Sequence, residues 1–92
     1  MHTEPLHDVY NLLTNRQREV LELTSAGLTN QEIAAILCVQ PSVVAEHLTN
    51  IFGHLAPVVS RYPNRYTVIR CYTLFFYKNP GLCGYADVTL TL

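Results

Sequence analysis

The sequence predicts a small all-α domain of four main helices, the middle two forming a helix-turn-helix, with an N-terminal extension and a candidate short C-terminal strand. Three observations carry this. A Thr-x-x-[Glu/Gln] capping signature occurs twice, at Thr14/Gln17 and Thr29/Glu32, each leading into an apolar-periodic run. Pro41 opens a stretch in which Val44, Leu48, Ile51 and Leu55 recur at i, i+4, i+7 and i+11, one face of a helix. A fourth stretch, "NRYTVIRCYTLFFYK", is apolar nearly all round, as a helix buried on more than one side must be.

Taken in order, "PLHDVYNLL" is expected to be a short helix, with Leu6, Val9 and Leu13 at spacings of three and four. "LTNRQREVLELTSAG" follows, capped by Thr14 and Gln17, with Val20, Leu21 and Leu23 as apolar surface and Gly27 as the left-handed residue that ends it. "LTNQEIAAILCV" repeats the device: Thr29 caps, Glu32 closes the box, Leu28 can staple onto Ile33, and Ile33, Ala34, Ile36 and Leu37 are expected to face inward. In the Pro41 helix the outward face is left with Ser42, Val43, Ala45, Glu46, Thr49, Asn50 and Gly53. In the fourth helix Val68, Tyr72 and Phe75 or Phe76 should close the core. The rest of that surface needs the N-terminal segment or a second subunit. "NPG" then stops the helix, and "ADVTLTL" alternates as a strand does, though a lone strand must pair with something.

Composition bounds the function. With 92 residues the chain is one domain, and 49% hydrophobic against 14% charged content suggests surface buried against a partner. No run of eighteen apolar residues occurs, so no membrane span is expected. The acidic start "MHTEPLHDVYNLL" lacks a basic n-region, so a cytoplasmic protein without a signal peptide is expected. The net charge of −1 is uneven: residues 1–13 and 14–56 carry −2 each, and residues 57–92 carry +3. The expected divisions are an N-terminal extension (1–12), the helix-turn-helix domain (13–79) and a C-terminal tail (80–92).

"LTNRQREVLELTSAGLTNQEIA", "VVAEHLTNIFGHL" and "NRYTVIR" together resemble the LuxR/FixJ/GerE-type helix-turn-helix of bacterial transcription regulators. The likeness covers about two thirds of the chain at fixed spacing. It implies a four-helix LuxR-type domain whose third helix enters the major groove and whose fourth mediates dimerisation. On that basis the candidate DNA-binding residues are Thr14, Arg16, Thr29, Asn30, Ser42, Val43, Ala45, Glu46, His47, Thr49 and Asn50. Here His47 matches the family's backbone-contacting histidine, against the plainer reading of a part-buried histidine bonding a neighbouring turn. The candidate dimer residues are Ile69, Cys71, Leu74, Phe76 and Tyr77. A small stand-alone bacterial regulator with no receiver or ligand-binding domain is expected.

The departures from the family pattern bear on function. Gln40 stands where a serine cap is common, Ala45 where a basic residue is, and His54, beside Gly53, where a lysine is. The loop "APVVSRYP" is longer than the family norm, and "YKNPGLCGYADVTLTL" has no counterpart. DNA affinity comes largely from neutralised phosphates, and the second and third helices hold no Lys or Arg. Arg16, Arg18, Arg61, Arg65 and Arg70 are left to reach flanking phosphates. Two readings stay open. One is a regulator that binds DNA weakly or unusually as a homodimer. The other is a helix-turn-helix kept as a protein-interaction module, an adaptor or antagonist of another regulator or of the transcription machinery.

No cofactor, metal site or catalytic constellation is expected: His47 and His54 lack a third ligand at suitable spacing, and no triad or phosphate loop occurs. Of the cysteines, Cys38 is expected in the core and Cys71 in the fourth helix. Cys83, among turn-formers, is either an idle surface thiol or a candidate redox thiol.

Overall fold

The computed structural model describes residues 4–59 and 61–82. It contains five α-helices, α1 (Glu4–Leu12), α2 (Asn15–Ser25), α3 (Asn30–Leu37), α4 (Pro41–Leu55) and α5 (Arg65–Lys78), followed by a 3-10 turn at Pro80–Leu82. The "ADVTLTL" strand pattern and Cys83 lie outside the described residues.

Local chemistry sets the helix ends. The Gln17 N–H donates to Thr14 Oγ1 (3.2 Å) and the Thr14 N–H to Gln17 Oε1 (2.9 Å). The second box is the same: Glu32 N–H to Thr29 Oγ1 (3.2 Å) and Thr29 N–H to Glu32 Oε1 (2.8 Å). Gly27 takes a positive φ of 96°, and the Gly27 and Leu28 N–H groups reach back to Thr24 O and Leu23 O (2.9 and 3.3 Å). That is the double bond of a Schellman ending. A third box, not expected from the sequence, starts α5: Asn64 Oδ1 accepts from the Tyr66 and Thr67 N–H groups, and Thr67 Oγ1 accepts from the Asn64 N–H. Gln40 caps α4 with no side-chain bond, as its poor capping ability predicts.

α2 lies at the centre, against α5 on one side and α3 and α4 on the other. Val20, Leu21, Leu23, Ile33, Val44, Ile51, Leu55, Val68, Tyr72 and Phe75 are fully buried. The predicted inward face of α4 is buried throughout, as are Val68, Tyr72, Phe75 and Phe76 of α5.

α1 seals the far side of α5. The rings of His7 and Tyr10 pack on Phe75 (centroids 4.8 and 5.6 Å), and Tyr10 also meets Phe76 (5.9 Å). Tyr72 Oη donates to Leu6 O (3.0 Å), and Tyr10 Oη to Leu82 O (3.4 Å). Burial, with a smaller contribution from Cys71, pushes the Tyr72 phenol well above its ordinary value. Arg18 lies 4.6 Å over the Tyr10 ring and donates to Tyr10 O and Asn11 O, satisfying carbonyls at the end of α1.

Three expectations are corrected. Ile36 is 38% exposed, because α3 presents Gln31, Glu32, Ala35 and Ile36 to solvent and only Ile33, Ala34 and Leu37 to the core. Cys38 is exposed, not core. It sits past the end of α3 at φ 59°, in the left-handed conformation that lets Val39 N–H reach Ala34 O (3.0 Å), so its side chain leaves the helix's buried face. Phe76 is only 7% exposed and belongs to the aromatic cluster with Tyr10, Tyr72 and Phe75, so it is turned away from any surface for a second subunit.

Candidate nucleic-acid interface

α3, the turn at 38–40 and α4 form the helix-turn-helix. Opposite the buried stripe of α4, Ser42, Ala45, Glu46, Thr49, Asn50 and Gly53 are exposed, while Val43 and His47 are half-buried at its margin. Ser42, Glu46, Asn50 and Gly53 follow one another at i, i+4, i+8 and i+11, a single outward ridge. Glu46 stands mid-ridge with no hydrogen bond or ion pair among the described residues. The Thr49 hydroxyl donates back to Ala45 O (3.0 Å), which uses its proton within the helix and leaves its lone pairs outward.

The other candidate residues are partly committed. The hydroxyls of Thr14 and Thr29 accept within their capping boxes, so any ligand there meets exposed helix ends. Asn30, half-buried, accepts through Oδ1 from Arg65, and Arg16 pairs with Glu19 (3.0 Å) at the surface.

The cations fall elsewhere. Arg65, open to phosphate contact in the sequence, is used inside the fold: Nη1 donates to Leu28 O (2.6 Å) and Nη2 to Asn30 Oδ1. Arg18 holds α1. Arg61, Arg70 and Lys78 are exposed and make no hydrogen bond or ion pair among the described residues. No sequence signal marked the Arg65 clamp, because its partners lie 35 and 37 residues away.

On α5 the outward ridge is Tyr66, Arg70, Leu74 and Tyr77, with Tyr66 74%, Leu74 52% and Tyr77 81% exposed. Ile69 and Cys71, two residues apart, sit half-buried on opposite flanks of this ridge. Among the described residues, no group of three or more His, Cys, Asp or Glu side chains is placed to hold a metal ion, and no helix is long and apolar enough to cross a membrane.

The family model described as bacterial regulatory proteins, luxR family, matches residues 11–57, about half of the chain and the whole helix-turn-helix. The chain belongs to the LuxR family of regulatory proteins. Three mycobacterial proteins named "Putative HTH-type transcriptional regulator", one from Mycobacterium bovis and two from Mycobacterium tuberculosis, are each 44% identical to it over 43 residues. The match covers 47% of this chain but only 5% of each relative, so the chain spans a small part of their length. No solved structure gives a significant match. The matched residues contain α3, the turn and α4, so these form a LuxR-type helix-turn-helix.

Proposed function

We propose that this LuxR-family chain is a transcription regulator that lays α4 in the major groove of DNA as a dimer, with unusually little phosphate neutralisation. The observation that carries this is the division of α4. Val44, Leu48, Ile51 and Leu55 lock it to the core, and the ridge from Ser42 to Gly53 is left free of structural duty. Affinity then comes from backbone N–H groups at helix ends, from polar side chains and from two copies acting together. Residues 13–79 are the regulatory domain, acting where chromosomal DNA is, in the cytoplasm. The dimer contact falls on the outward ridge of α5, where Tyr66, Leu74 and Tyr77 are the large exposed groups.

Fluorescence anisotropy across salt concentration tests this. Ala45 is exposed on α4, so Ala45→Lys adds a phosphate contact without touching the core. It should steepen the log–log salt dependence by about 0.9. Unchanged affinity and slope would mean that this helix does not face DNA. A second reading, docking on another protein, is favoured by Glu32 and Glu46 being the formally charged groups of α3 and α4. In that case Ala45→Lys should weaken the partner complex and leave DNA binding untouched.

A further inference from the structure

A carboxylate in the middle of a DNA-facing ridge is repelled by phosphates and needs a reason to be there. We infer that Glu46 and Asn50 read bases in the major groove, Glu46 a cytosine and Asn50 an adenine one or two base pairs away. The inference rests on the DNA-binding reading above and adds a base identity to it.

Three observations carry it. First, Glu46 is exposed and unpaired among the described residues, and no Lys or Arg occurs in α3 or α4 to neutralise it. Second, its neighbours along the ridge are short: Ser42 before it, Asn50 and Gly53 after it. Gly53 has no side chain and nothing within 4 Å of where a Cβ would stand, so the second half of the helix can approach a groove floor closely. Third, the middle of the ridge is the position farthest from both walls of a groove about 12 Å wide. On a deeply seated helix, Glu46 therefore meets base edges, and phosphates are met by the flanks.

The chemistry selects the base. Two bases offer an exocyclic amine in the major groove, cytosine and adenine. Adenine sets its N7 acceptor beside that amine, where it would repel the second carboxylate oxygen. Cytosine has only a C–H there. Asn50 has the opposite endowment: its amide donates and accepts, which matches adenine N7 and N6 together. Four residues of helix rise by about 6 Å, and base pairs step by about 3.4 Å, which places the two contacts on nearby pairs. A carboxylate facing guanine or thymine is desolvated without a donor, and one facing adenine meets the N7 acceptor beside the amine, so Glu46 acts mainly by rejecting wrong sites.

Selection of bound duplexes from a random pool, with the wild-type chain, Glu46→Gln and Asn50→Ala, tests this. The wild type should enrich a cytosine with an adenine one or two pairs away. Replacing that C·G pair by T·A should weaken wild-type binding by about 5- to 150-fold, the span of one good base contact, and should leave Glu46→Gln nearly indifferent. Swapping the base pair needs no altered protein, so a poorly folding variant does not block the test. Sequence-selective binding in which the swap affects wild type and Glu46→Gln alike would overturn the assignment and leave DNA docking intact. Absence of any DNA binding would overturn both.

Discussion

Arg65 offers the sharpest test of how this fold is tied together. Its guanidinium joins the first residue of α5 to the turn between α2 and α3, through Leu28 O (2.6 Å) and Asn30 Oδ1. Arg65→Ala removes both bonds. A hydrogen bond to a charged group contributes about 1.5–3 kcal/mol net. Arg65 is half-exposed, so water can re-enter and replace part of this. A loss of about 2 kcal/mol for the pair is the reasonable expectation. In a domain of this size each kcal/mol shifts the melting temperature by roughly 4–8 °C, so Arg65→Ala should melt about 8–16 °C lower. Arg65→Lys keeps the charge but not the fork, and should recover half of the loss at most. In a double-mutant cycle with Asn30→Ala, the two substitutions should be non-additive by about 0.5–1.5 kcal/mol, read by differential scanning calorimetry. An unshifted melting temperature for Arg65→Ala, together with an additive cycle, would refute the clamp. Combined with a salt slope for DNA binding shallower by about 0.9, that result would make Arg65 a phosphate contact instead.

Other expectations follow from single features. Thr24 is fully buried and its hydroxyl has no hydrogen-bond partner among the described residues, so Thr24→Val, which keeps the shape, should stabilise by about 1 kcal/mol; a lower denaturation midpoint in urea would contradict this. Burial raises the Tyr72 phenol above its unfolded value of about 10. The folded state thus resists ionisation, and stability present below pH 10 should fall as pH rises beyond it. Tyr72→Phe should lose about 1 kcal/mol near neutral pH with the bond to Leu6 O, and should show a weaker alkaline decline in circular dichroism melts. Leu74, 52% exposed on the outer ridge of α5, should tolerate Leu74→Glu in folding but not in assembly; a light-scattering mass equal to the wild-type dimer's, or a wild type already monomeric at micromolar concentration, would sink the α5 dimer.

What the sequence by itself determined here is local. The two threonine capping boxes, the Gly27 ending, the absent cap at Gln40 and the inward stripe of α4 depend on neighbouring groups no more than five residues apart. A strand of text that spaces them correctly therefore specifies them before any tertiary contact forms. The uncharged, Glu46-bearing outer ridge of α4 was legible for the same reason: once the apolar stripe is placed, the opposite face follows from the helical period. The tertiary structure alone decided the rest. In α5 the sequence placed Val68, Tyr72 and one of Phe75 and Phe76 on the core; the positions of α1 and α2 decided that both phenylalanines are buried and that Leu74 and Tyr77 stay outside. Ile36 is as apolar as Ile33, but α4 packs on one face of α3 and not the other. Arg65 looks like any surface cation until a turn 35 residues away supplies two oxygens to it. Contacts of that kind have no spacing rule, because what brings the partners together is the packing of whole helices and not the pitch of one.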